Sequence, residues 1–223
     1  MKTKSHNQRV PRTVQWAIIL AITAILFSFF LWTEVLLLRS LAQLVPETHS
    51  LQHAAADERI AGFPVIASLS IPKINVRAPV LLAERTLWDT RSWELLEERM
   101  QDALVYGTVA YPHSVLPGQQ GNLIVAGHSS PPDLRAGESQ FGDVFHRLPE
   151  LQVSDVITLL QPDGGYADYV VRSTKVVSAS ETEVLKQDHR GSILTLITCY
   201  PIGTTKDRWI VTAERIDVGS SHQ

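Results

Sequence analysis

From Pro64 onward the chain alternates short runs rich in Val, Ile, Leu and Thr with breaks that carry Gly, Pro, Asn or Asp. Runs of this length and composition, bounded by turn formers, predict β-strands. Eight are expected, at 65–71, 78–83, 103–108, 122–127, 155–161, 166–177, 193–199 and 208–216. Their regular spacing predicts a mainly β domain, a barrel or a sandwich. The segments LPGQQGN and QPDGGY mark turns, and the Asp-Gly-Gly of the second suits a hairpin. Apolar positions in 86–100 predict one helical insertion, with Trp88, Leu95 and Leu96 as core contacts. A short helical turn is expected at 141–151.

The pattern before Pro64 is different. Thr13 to Thr33 is a run without a charge. As a helix of ~1.5 Å per residue it spans roughly 31 Å, the thickness of a hydrocarbon core. No polar position recurs in it at helical period, as a helix buried in a globular core would require. Four basic residues (Lys2, Lys4, Arg9, Arg12) and no acid precede it, which predicts a cytoplasmic N-terminus and an extracytoplasmic domain. A cleavable signal peptide is the rival reading. Its apolar region is shorter and ends at a small-x-small site, whereas here EVLLLRSLAQL follows, so an uncleaved signal anchor is favoured. The chain therefore reads as a basic tail (1–12), a membrane anchor (13–38), a polar stalk (39–63) and a globular domain (64–223).

Charge narrows the partners. Net charge is −3, but with those four basic residues set aside, 16 basic residues face 23 acidic ones. Such a balance disfavours nucleic acid, because phosphate binding needs a basic field. Cys199 is the single cysteine, so no intramolecular disulfide can form. A lone thiol outside the cytoplasm is open to oxidation; it is either buried and inert or kept for its chemistry.

The strand 193–199 ends at Cys199, where the turn-rich YPIGTTKD begins, and the next strand opens at Arg208. Another strand ends just before His128, where Ser-Ser-Pro-Pro forces a turn. A thiol, an imidazole and a guanidinium are thus all offered at strand ends, where side chains are half sheltered and half accessible. An ordinary thiol, of pKa about 8.5, is only slightly ionised at neutral pH and needs a neighbouring base or cation. Imidazole can protonate a leaving amine, and a guanidinium can hold a developing oxyanion. Taken alone the spacing is weak evidence, because a buried cysteine at a strand end is more often structural than reactive.

Longer motifs bear on that choice. TLITC (195–199) resembles the TLxTC signature of the sortases. GNLIVAGHSS (121–130) resembles the segment that carries their catalytic His, about seventy residues before the Cys. The Arg that ends CYPIGTTKDR matches their essential Arg, and IPKINVRAPV and FGDVFHRLPELQVSDVITL resemble further stretches in the same order. The resemblance covers about 64–217. It implies a closed eight-stranded sortase-type β-barrel and a cysteine transpeptidase, class D-like by its Tyr-Pro after the Cys. Cys199 would be the nucleophile, His128 the proton-transfer partner and Arg208 the oxyanion and substrate stabiliser, with Thr198 a contact to the substrate. The implied partners are secreted proteins bearing an LPxTG-like sorting motif and an amine acceptor, a wall precursor or a pilin lysine. No cofactor is called for.

Other histidines weigh less. His6, His49, His53 and His222 lie in tail or stalk, and His146 and His189 in loops or short turns; His113 is the best alternative base. No HExxH or CxxC occurs, so zinc is not expected, and Glu84, Asp102 and Asp143 read as solvated charges rather than a calcium site. Two rival functions stand beside transpeptidation by a sortase. An L,D-transpeptidase would need a Ser-x-Gly-Cys signature, which is absent here. A non-catalytic anchored domain that binds the wall or a pilus would not need Cys199.

Overall fold

A computed structural model describes residues 59–216. The expected tail, membrane anchor and most of the stalk lie outside the described residues, as does His222. Among the described residues no helix is long and apolar enough to cross a membrane.

The strands are β1 (Arg59–Ile60), β2 (Phe63–Ile71), β3 (Val76–Leu82), β4 (Thr108–Ala110), β5 (Gly121–Ala126), β6 (Val156–Leu160), β7 (Tyr166–Ser178), β8 (Ser192–Tyr200) and β9 (Asp207–Ile216). Their order is β1-β2-β3-β4-β5-β8-β9-β7-β6, and β6 pairs back onto β2 through Ser68–Leu160, Leu69–Leu159 and Ser70–Thr158. Strands β2 to β9 thereby close an eight-stranded barrel, which leaves no free edge among them. Strand β1 only extends β2: Ile60 opposes Phe63 across a turn in which Ala61 and Gly62 have φ of 51° and 86°. A two-residue hairpin loop needs such left-handed backbone, and Gly62 supplies it without strain. The described strands thus begin a few residues before Pro64.

Alternation along the strands builds the interior. Leu69 and Ile71 of β2, Leu123 and Val125 of β5, Tyr169 and Val171 of β7, Leu194 and Leu196 of β8, and Val211 and Ala213 of β9 share one fully buried cluster. Phe145, Leu148 and Leu151, from the segment expected to form a helical turn, complete that cluster. The segment holds a single 3-10 turn at Leu148–Glu150.

Two expectations need correction. The insertion is not one helix but α1 (Arg85–Asp89) and α2 (Trp93–Leu104), separated where Arg91 takes φ 57°. Helix α2 buries Leu96, Met100, Ala103 and Leu104, an i, i+4, i+7, i+8 stripe, whereas Leu95 lies one position off the stripe and is exposed. The predicted strand 103–108 is therefore wrong in all but its last residue: Ala103 and Leu104 finish the helix, 105–107 form a turn, and β4 starts at Thr108. Gly107 makes the change of direction possible, because a Cβ there would lie 2.7 Å from the Pro79 carbonyl oxygen. A further short helix, α3 (Leu134–Gly137), was not foreseen; Asp133 caps it by accepting from the Ala136 N–H at 2.8 Å.

Candidate active site

Strands β5, β8 and β9 lie side by side, β5 parallel to β8 and β9 antiparallel to it. Their alternate positions face away from the barrel interior. There Ile124, Ile197 and Ile210 form a separate buried cluster with Tyr111, Val177, Val184 and Leu185 packed on it. The same row continues to the chemistry-bearing residues. Two positions beyond Ile197 is Cys199, and two before Ile210 is Arg208, and these two are direct partners in the ladder. Directly opposed residues share a face with Cβ atoms about 5 Å apart.

His128 joins them by an extension of the parallel pairing. Ala126, the last residue of β5, is level with Ile197. Gly127 then donates its N–H to the Ile197 carbonyl at 3.1 Å, and the Thr198 hydroxyl donates to the Gly127 carbonyl at 2.7 Å. His128 therefore follows the end of β5 at the level of Cys199, where neighbouring strands run about 4.8 Å apart. Glycine is required before it: a Cβ on Gly127 would lie 2.5 Å from the Phe145 ring. The Phe145 N–H in turn donates to the His128 carbonyl at 2.8 Å. The His-bearing turn is thus anchored to the barrel plug on one side and to β8 on the other.

Cys199 and Arg208 are half-buried, and His128 is 9% exposed. Burial pushes the His128 imidazole below its ordinary value of 6.5, opposed by the negative charge of Asp133. The resting ring is consequently neutral at pH 7 and able to accept a proton. Arg208 is braced from behind, with Nη1 donating to the carbonyls of Thr205 at 2.9 Å and Asp207 at 3.0 Å. Its Nε and Nη2 make no hydrogen bond among the described residues and remain for a ligand. The loop that carries this brace is tied to the His side by the Gly203 N–H, which donates to Ser130 Oγ at 3.2 Å.

The four residues singled out from the sequence are brought together, in two different ways. Cys199 and Arg208 oppose each other in the β8–β9 ladder, and His128 follows two residues after Ala126, the last paired residue of β5. Thr198 is buried, 2% exposed, and its hydroxyl is spent on the Gly127 carbonyl. His113, the alternative base, is stacked on Trp88 at 4.0 Å, and its Nε2–H donates to the Leu185 carbonyl at 2.7 Å. His146 donates through Nδ1 to the Ser129 carbonyl at 3.1 Å. Asp102 pairs with Arg135 at 3.0 Å, and among the described residues no group of His, Cys, Asp or Glu is arranged to hold a metal ion.

Sequence reasoning missed Tyr111. It packs on the Ile124–Ile197–Ile210 cluster, and burial raises its hydroxyl pKa, reinforced by Glu97 and by Cys199 and opposed by Arg208. It is a neutral aromatic neighbour of the thiol and guanidinium. No spacing in AYPH pointed to it, because β4 reaches the site only through its pairing with β5.

Comparison with known proteins points to one family. The matching family model is the Sortase domain, over residues 69–216. Sortase D of Bacillus subtilis (strain 168) is 28% identical over 151 residues, which cover 66% of this chain and 62% of that protein. The chain thus spans about three-fifths of the length of that curated relative. Among solved structures, a Clostridium perfringens Sortase D5 transpeptidase superposes with a TM-score of 0.56 at 26% identity, covering 76% of this chain and 89% of the other. Sortase A from Corynebacterium diphtheriae gives 0.56 at 26% identity, covering 72% and 64%. With two thirds of its length matched by one family model and its fold shared with solved sortases, this chain belongs to the sortase family.

Proposed function

We propose that the protein is a class D-like cysteine transpeptidase that cuts an LPxTG-like sorting motif in secreted proteins and transfers them to an amine. The observation that carries this reading is the pairing of Cys199 with Arg208 in the β8–β9 ladder, with His128 two residues past the end of the neighbouring β5. The neutral His128 takes the Cys199 proton as sulfur attacks the scissile carbonyl carbon. Oxygen takes the negative charge of the tetrahedral intermediate, within reach of the unspent donors of Arg208, whose fork suits an oxyanion or the backbone carbonyls of the motif. Imidazolium then protonates the leaving amine, the C–N bond breaks and a thioester remains on Cys199. An incoming amine gives its proton to His128, attacks the thioester and releases the thiol. The acceptor is a wall precursor or a pilin lysine.

Thr198 is better suited to a positioning task than to substrate contact. Its buried hydroxyl holds Gly127, and with it the His128 turn, at the correct height against β8. The uncharged run at 13–33 with its basic flank supports a single-pass anchor that holds the catalytic domain on the outer face of the cell membrane. The enzymatic reading is tested by incubating the full-length protein with quenched sorting-motif peptides. Cleavage that disappears in a folded Cys199→Ala protein supports it; cleavage that persists there overturns it. Protease added to intact spheroplasts should degrade the domain, and protection would contradict the anchored topology.

A further inference from the structure

The outward face that ends at Cys199 is walled by the loop joining β7 to β8, whose Val184 and Leu185 pack on Ile124, Ile197 and Ile210. That loop holds one 3-10 turn, Glu183–Leu185, and no longer element. Left to itself such a segment samples many conformations, and a peptide that packed against it would have to order it. Here three consecutive carbonyls of the loop are each taken by a side chain from outside it. Asn122 Nδ2 donates to the Val184 carbonyl at 3.5 Å and to the Lys186 carbonyl at 3.2 Å, and His113 Nε2 to the Leu185 carbonyl at 2.7 Å. Gln187 returns the contact. Its Oε1 accepts from the Asn122 N–H at 2.8 Å, and its Nε2 donates to the carbonyls of Asn122 at 2.8 Å and His113 at 3.1 Å. Asn122 is itself fixed, because the Thr195 hydroxyl of β8 donates to its Oδ1 at 2.8 Å.

We propose that Asn122, His113 and Gln187 are positioning residues for peptide binding, forming a clamp that holds Val184 and Leu185 as a ready-made apolar wall beside the face that ends at Cys199. The inference rests on the peptide-cleaving reading above. None of the three residues touches the reacting atoms. They act through the loop, so their effect belongs to substrate binding rather than to the chemical step. The clamp is built at the start of β5, six residues before His128, which couples the placement of the wall to the strand that places the base.

The test uses the full-length protein with Gln187→Ala and Gln187→Glu, the second keeping the acceptor for the Asn122 N–H while losing both donations. Three readouts are compared: KM and kcat for a sorting-motif peptide, alkylation of Cys199 by iodoacetamide, and amide hydrogen exchange of 183–187. Gln187→Ala should raise KM by about tenfold, the effect of losing a few net hydrogen bonds, with kcat and alkylation within about twofold of wild type. Exchange of 183–187 should rise, and Gln187→Glu should be at least as damaging as Gln187→Ala in both KM and exchange, because its carboxylate faces the Asn122 and His113 carbonyls. Unchanged exchange in Gln187→Ala overturns the clamp. Raised exchange with unchanged KM overturns its role in binding, as does a loss confined to kcat and alkylation. If wild-type protein cleaves no sorting-motif peptide, the peptide reading fails, and the exchange of 183–187 in Gln187→Ala still decides whether the clamp exists.

Discussion

Strand β8 presents two surfaces that the barrel treats in opposite ways. Leu194 and Leu196 face inward among fully buried aliphatic side chains. Cys199 and Ile197 face outward, toward a layer of loops, and the row ends in a half-buried thiol and guanidinium near the buried His128 imidazole. One backbone thus serves two purposes, because the two-residue period of a strand separates them by face. Inward positions hold the ladder together. Outward positions inherit its precision: Cys199 and Arg208 are aligned by the same hydrogen bonds that align the core residues of β8 and β9. The placement of the reactive groups is therefore a by-product of barrel closure, and stability and chemistry should separate by face when each is disturbed.

The largest effect is expected from the outward face. Cys199→Ala should remove acylation, a loss of at least about 10⁴-fold in single-turnover rate, while the denaturation midpoint moves little. Next, Arg208→Lys should be nearly as damaging as Arg208→Ala, each slowing acylation about 10²-fold, because a lysine offers charge without a fork. The brace from the Thr205 and Asp207 carbonyls strengthens this expectation, since it fixes a guanidinium in a way an ammonium on a flexible stem cannot copy. Single-turnover acylation of both variants checks it. A near wild-type Arg208→Lys would move the oxyanion contact elsewhere, to backbone N–H groups around Tyr200.

The inward face should respond in the reverse sense. Leu196→Ala should cost about 2–5 kcal/mol of stability by opening a cavity, measured by urea denaturation. Acylation per folded molecule should stay close to wild type, and a tenfold loss would show that the two faces are not separable. The smallest effect concerns pH. His128 is held neutral, with its folded pKa below the ordinary value, so the unfolded chain binds the proton more readily. Its contribution is complete above the unfolded value near 6.5 and is lost as pH falls toward the folded one. His128→Gln should therefore flatten part of the fall in stability between about pH 7 and pH 5, read from denaturation midpoints at several pH values.

Much of this was legible in the residues. Alternation gave away seven of the eight barrel strands, and TLITC, GNLIVAGH and the later Arg pointed to the three groups proposed to react. What was hidden depends on tertiary context. The sequence ALVYGT has strand-like composition, yet Ala103 and Leu104 complete the buried stripe of α2, so packing overrode local preference. Thr198 adjoins the nucleophile in sequence but, with a period of two, must face the other way, and its hydroxyl is spent on Gly127. Tyr111, Asn122, His113 and Gln187 meet only because β4, β5 and the β7–β8 loop converge. Nothing in their spacing announced it.

The central claim is that Cys199, flanked by His128 and Arg208, forms a thioester with a sorting-motif peptide. Intact-mass analysis of the full-length protein after brief exposure to such a peptide tests this most directly. The account predicts an adduct equal to the fragment upstream of the scissile bond, mapped to Cys199, discharged by an added amine and absent from Cys199→Ala. A folded wild-type protein that cleaves the peptide with no such adduct, or an adduct that persists in Cys199→Ala, would contradict it.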